Sequence, residues 1–168
     1  MRIIGIDPGF ATTGFAILDV GKDICKTAGR ASTVSGKKLI SYGTIKTSKT
    51  ADFPARLKEI FDDINAVLLK YKPDVCSIEQ LFFSKNITTG INVSHARGVI
   101  LMALYNNGIP IHEITPSAMK KNLTGDGRAD KRAIQKMVMM ELHLKAIPKP
   151  DDAADAVSLA LCLASTLR

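Results

Sequence analysis

The chain is short of cysteine, of aromatics and of long apolar runs, and each shortage excludes a class of protein. Its three cysteines, Cys25, Cys76 and Cys162, are odd in number, widely spaced and without a C-x-x-C pair. That pattern argues against a disulfide framework and against a thiolate zinc site. Cys76 and Cys162 lie in apolar stretches and read as small core residues. No apolar run approaches the roughly 18 residues of a membrane span, and no signal peptide opens the chain, so no membrane association and a cytoplasmic location are expected. The three histidines, His95, His112 and His143, match no metal-ligand spacing. Repeats and low-complexity tracts are missing, and aromatics at 5% are few, as in an ordinary mixed α/β protein.

What is present is a basic surplus. The 168 residues, expected to form a single domain over 1–168, carry a net charge of +7 although acidic residues are not scarce. A small basic chain points first to nucleic acid and second to an anionic membrane surface.

The stretch Ile3-Ile4-Gly5-Ile6-Asp7-Pro8-Gly9 organises the rest. Apolar strand pattern runs into one aspartate, and Pro8-Gly9 turns the chain. Alternation sets Ile4 and Ile6 on one face and Ile3, Gly5 and Asp7 on the other. Gly5, with no side chain, opens that second face to a ligand or another backbone. Asp7 reads either as a metal ligand or as an aspartate that starts a turn.

Further strands are expected at Thr13 to Val20, Leu39 to Ile45, Val75 to Leu81 and Ile109 to Ile114. Gly21 to Lys37, rich in Gly, Ser, Thr and Lys, reads as a long polar loop. The first three strands are expected as an antiparallel meander. Helical spacing of Leu57, Ile60, Phe61, Ile64, Val67, Leu68 and Tyr71 predicts an amphipathic helix over Phe53 to Tyr71, stopped by Pro73. Later helices are expected over Thr88 to Asn106, from Pro116, from about Ala129 to Leu144, and over Asp152 to Leu167. The order predicts an α/β fold, a mixed five-stranded sheet covered by helices on both sides. It matches the ribonuclease H-like architecture, and order alone would fit other α/β folds.

Four acidic positions carry the chemistry. Asp7 ends the first strand. Glu79 stands in the strand Ser77-Ile78-Glu79-Gln80-Leu81, where an unpaired charge is costly to bury and a cation is one way to keep it ionised. Asp152 and Asp155 project from one face of the last helix. Asp151 and Asp155 also share a face, so spacing leaves open which of Asp151 and Asp152 is the ligand. Carboxylates at a helix start also cap it and favour its dipole without catalysis. Converging, these acids form an oxygen-only set suited to Mg²⁺ or Mn²⁺, two of which hydrolyse phosphodiesters in nucleases.

GIDPG at 5–9 with Thr13-Gly14, IEQLF at 78–82 and DAADA at 152–156 resemble, in order and spacing, the motifs of the RuvC family of Holliday-junction resolvases. The likeness takes in His95 to Val99 and Lys120 to Lys131, and spans nearly the whole chain. It implies Asp7, Glu79, Asp152 and Asp155 as catalytic and metal-binding residues, with Asp151 left as the helix cap. It also implies symmetric, metal-dependent cutting of a four-way DNA junction in recombination and repair, leaving ligatable 5′-phosphate and 3′-hydroxyl ends. A homodimer and a branch-migration motor of the RuvA and RuvB type are the partners it implies. The polar loop at 21–37 departs from the family pattern.

Phe82, directly after the Glu79 strand, is read as core or as an aromatic that stacks on bases, and the resemblance favours the second. Lys120, Lys121, Arg128, Lys131 and Arg132 flank Gly125-Asp126-Gly127, a grouping better explained by phosphate contacts than by a merely solvated surface. The resemblance assigns Lys120 and Lys131 to DNA near the metals. On the second helix His95 reads as a packing or interface residue, and the apolar stripe through Ile91, Val99 and Met102 suits the dimer contact that the resemblance implies and equally suits core; His95, Val99 and Met102 are the candidate dimer contacts. Two other readings are a non-catalytic junction-binding module and an actin-like or sugar-kinase-type phosphate-binding domain. The second also resembles Asp7-Pro8-Gly9 with Thr13-Gly14, but needs a second Gly-rich loop that the chain lacks.

Overall fold

A computed structural model of the chain describes residues 1–27, 30–81 and 87–167. Five strands form one sheet in the order β3-β2-β1-β4-β5. They are β1 (Arg2–Asp7), β2 (Thr12–Thr27), β3 (Arg30–Lys46), β4 (Val75–Glu79) and β5 (Ile111–Ile114). The first three pair antiparallel, as the short connection after Asp7 demands. β4 and β5 run parallel to β1, each reached through a helical crossover. The helices are α1 (Phe53–Tyr71), α2 (Ile87–Asn106), α3 (Pro116–Thr124), α4 (Lys131–Glu141) and α5 (Asp151–Thr166).

Alternation in β1 sorts the two cores as read. Ile4 and Ile6 join Ile17, Cys76 and Ile78 against α1 and α2. Ile3 joins Ala16, Leu18 and Val75 against α3, α4 and α5. Helices therefore cover both faces, the ribonuclease H-like arrangement expected from element order. Ile3, Ile4 and Ile6 are wholly buried, each contributing about 1.5–3 kcal/mol by leaving water. Cys76 and Cys162 are buried free thiols, core residues as read.

Three expectations change. The segment read as a long polar loop at 21–37 is instead paired strand, from Gly21↔Gly36 to Thr27↔Arg30, so β2 and β3 continue as a ribbon. Its composition hid this, because a ribbon needs backbone pairing and no alternating apolar face. The fourth strand stops at Glu79 rather than running to Leu81, so Glu79 stands at a strand end and not inside the strand. The fourth helix is Lys131–Glu141, shorter at both ends than read: Asp130 caps its start by accepting from the Ala133 N–H at 2.8 Å, and the backbone leaves the helical region at His143, φ 50°. Among the described residues, no helix is long and apolar enough to cross a membrane.

Candidate active site

The site is assembled by strand register and by close helix approach. Parallel pairing of Ile6 with Ile78 brings Asp7 and Glu79 side by side at the carboxyl ends of adjacent strands, the end of an open α/β sheet where ligands usually bind. The turn after Asp7 is fixed by Thr13, whose buried hydroxyl donates to the Gly9 carbonyl at 2.7 Å. A Cβ on Gly9 would lie 2.0 Å from the Thr12 carbonyl oxygen, so the turn needs glycine there.

α5 lies on the same face of the sheet with almost no gap. A Cβ on Gly5 would stand 2.1 Å from the Ala156 oxygen, and one on Gly14 2.0 Å from the Asp152 oxygen. The opening read at Gly5 thus admits a backbone, that of α5. Ala153, Ala156 and Ala160 are buried along this contact. The helix is held by its small residues, and its acidic first two turns are carried to the strand ends.

Asp7, Glu79 and Asp155 line one cavity of about 240 Å³, together with Lys120 from α3 and Lys131 from α4. Asp152 lines the neighbouring cleft with Gly9, Phe10, Ala11, Thr12, Asn92 and Val93. Burial, reinforced by the charges of Glu79, Asp155 and Asp152, pushes the Asp7 carboxyl up to about 8. Burial also raises Glu79, which shares a hydrogen bond with Asp7. Asp155 is raised by burial too, partly offset by Lys131. These acids repel one another in a poorly solvated place, and Lys131 offsets only Asp155.

That electrostatic deficit, with an oxygen-only donor set, fits a hard divalent cation. Asp7 and Glu79 are the most closely associated pair of the set, sharing a hydrogen bond. Among the described residues, no three acidic, His or Cys side chains form a ready-made metal cage. The four carboxylates therefore share an electrostatic neighbourhood and not a finished coordination shell.

Other expected residues fall variously. Lys120 and Lys131 reach the cavity, whereas Lys121, Arg128 and Arg132 are exposed and do not line it. Phe82 lies outside the described residues. His95 and Met102 are exposed on α2 and Val99 is half-buried, with His95 edge-on to Phe53 at 5.3 Å between ring centroids. Asp151 is not the cap of α5: Pro150 holds that position with no side-chain hydrogen bond, and Asp151 pairs instead with Lys131 at 3.2 Å. One residue escaped the sequence reading as a site residue. Arg97 on α2 points its Nε at the Glu79 carbonyl at 3.4 Å and pairs with Glu113 at 2.8 Å, bracing the strand end that carries Glu79. Its only signal was its place between His95 and Val99 in a stretch already singled out.

The family model described as crossover junction endodeoxyribonuclease RuvC matches residues 3–163. A crossover junction endodeoxyribonuclease RuvC of Thermosipho melanesiensis is 44% identical over 170 aligned residues, covering 100% of this chain and 99% of the relative. Among solved structures, Thermus thermophilus RuvC superposes with a TM-score of 0.86 at 30% identity, covering 100% of this chain and 96% of the other. The same protein in complex with a Holliday junction substrate gives 0.85 at 30% identity, with 100% and 95% covered. The chain belongs to the RuvC family of crossover junction endodeoxyribonucleases, the Holliday-junction resolvases.

Proposed function

We propose that residues 1–168 work as one nuclease domain that cuts four-way DNA junctions at the cavity between β1, β4 and α5. As a RuvC-family member the chain is an endonuclease of recombination and repair. The observation that carries the site assignment is the convergence of Asp7, Glu79 and Asp155 with Lys120 and Lys131 in one cavity of a basic protein. Asp152 completes the catalytic set from the adjoining cleft, close enough to raise Asp7.

Asp7 and Glu79 would be the central ligands of divalent cations, with Asp155 and Asp152 completing two sites for Mg²⁺, or Mn²⁺ in its place. Such cations, when bound, supply a nucleophilic water at neutral pH and charge stabilisation at the leaving oxygen. The protein's own part is positional. The strand ends and α5 fix the acids, and Lys120 and Lys131 draw the scissile phosphate in and offset its developing charge. Water adds to phosphorus and the P–O3′ bond breaks, leaving a 5′-phosphate and a 3′-hydroxyl for a ligase. Arg128, exposed in the turn before α4, and Phe82 serve as further DNA contacts.

Symmetric cutting needs two such sites, and a homodimer through α2 supplies them. His95, Val99 and Met102 recur at helical spacing on that helix, and Met102 is 55% exposed beside Tyr105 at 77%. The motor partner of RuvA and RuvB type rests on the family likeness, and the cytoplasm is the matching compartment for an enzyme that acts on chromosomal DNA.

The test is cleavage of a synthetic four-way junction in Mg²⁺ by the protein and by Asp7→Asn, beside a linear duplex. Paired, symmetric, ligatable nicks that vanish in the variant are expected. Tight junction binding without cutting would move the weight to a binding module. Equal cutting of duplex would remove the structure selectivity.

A further inference from the structure

Lys131 is the first residue of α4, where the helix dipole disfavours a cation. Asp130 caps the helix and fixes where it starts, so local helix chemistry does not explain a lysine there. Its ammonium lies 3.2 Å from Asp151 and 3.4 Å from Asp155, the first residue and the fifth of α5. The two acids differ in what else they do. Asp155 lines the cavity with Asp7 and Glu79, while Asp151 stands outside it with its side chain 73% exposed. Nor does Asp151 cap its helix.

We propose that Asp151 is a positioning residue: it holds the Lys131 ammonium at the cavity rim, leaving Asp155 available to a divalent cation. Resting on the active-site reading above, this gives a role to the one acid of the cluster that the catalytic set leaves out. A cation entering the cavity and the ammonium both seek Asp155. With Asp151 present the ammonium keeps a partner when Asp155 turns to the cation, and it stays aimed at the phosphate. Without Asp151 the ammonium has only Asp155, and the cation must displace it.

The experiment is Mn²⁺ binding by calorimetry to the full chain, to Asp151→Asn, to Lys131→Ala and to the double variant, with Asp7→Asn as a site control. Asp151 is exposed, so its replacement should leave the fold intact, and circular dichroism of each variant checks this. Exposed ion pairs are worth little, so Asp151→Asn should weaken Mn²⁺ binding by about two- to fivefold. The loss should disappear in the Lys131→Ala background, because it acts through the lysine. An equal loss in both backgrounds would mean that Asp151 acts on the cation directly, and no loss in either would mean that it does nothing; both overturn the proposal. Mn²⁺ binding that Asp7→Asn leaves unchanged would overturn the site reading itself, and this inference with it.

Discussion

Replacing Gly5 by alanine tests the idea that the active site is set by how closely α5 approaches the sheet. The added methyl would meet the Ala156 carbonyl oxygen at 2.1 Å and the Ala160 nitrogen at 2.8 Å, both backbone atoms of α5 with no rotamer to escape into. Restoring ordinary van der Waals separation needs the helix to retreat by more than about 1 Å. Overpacking of that kind costs about 1–3 kcal/mol. The larger effect falls on chemistry, because the retreating helix carries Asp152 and Asp155 away from Asp7 and Glu79, and a misplacement of about 1 Å can cost on the order of 100-fold in rate. Urea denaturation measures the first quantity. Single-turnover cleavage of a four-way junction, with enzyme in excess, measures the second, while junction binding should stay near that of the parent. Gly21→Ala is the control, since nothing lies within 4 Å of its added methyl. If Gly5→Ala unfolds at the parent's urea concentration and cuts at the parent's rate, the close approach of α5 does not set the site.

Three further outcomes are expected. In metal-free protein the Asp7 carboxyl is raised from 3.8 to about 8, so between those pH values the folded state binds more protons than the unfolded one and stability falls as pH rises. Asp7→Asn removes that loss, and its stability advantage in EDTA should grow from pH 5 toward pH 8; parallel urea curves for parent and variant would refute the assignment. Lys120→Ala and Arg128→Ala should each lower the salt dependence of junction binding by about 0.9 in the log–log slope, if each meets one phosphate; unchanged slopes in a salt titration would remove them from the interface. Met102→Asp, on the exposed stripe of α2, should turn a dimer into a monomer in sedimentation, and unaltered sedimentation would exclude that face.

Much of the site was legible because short-range rules decide it. Period-two alternation alone assigned Ile3, Gly5 and Asp7 to one face, and apolar flanks marked Glu79 as an acid out of place. What escaped depended on partners far along the chain. The stretch after Gly21 lacks an apolar alternation, yet its backbone groups pair with Gly36 to Arg30, an arrangement that composition does not report. Asp151 reads as a cap from its neighbours, and only the start of α4, brought alongside, shows that its carboxylate belongs to Lys131. Arg97, on a helix, carries no local mark either, because its partners Glu79 and Glu113 belong to two strands, β4 and β5.

The dependence of this site on α5 has a consequence for synthesis. Asp7 leaves the ribosome first, Glu79 midway, and Asp152 and Asp155 only with a helix that begins at Asp151. Contacts of such long sequence separation form late, after the loop entropy between them has been overcome. On the proposed assignment, a growing chain, and any fragment ending before that helix, would carry the basic residues offered as DNA contacts but lack the two acids that α5 brings to the site. Strand scission at that site would thereby be withheld until the sheet and α5 of the same molecule have met.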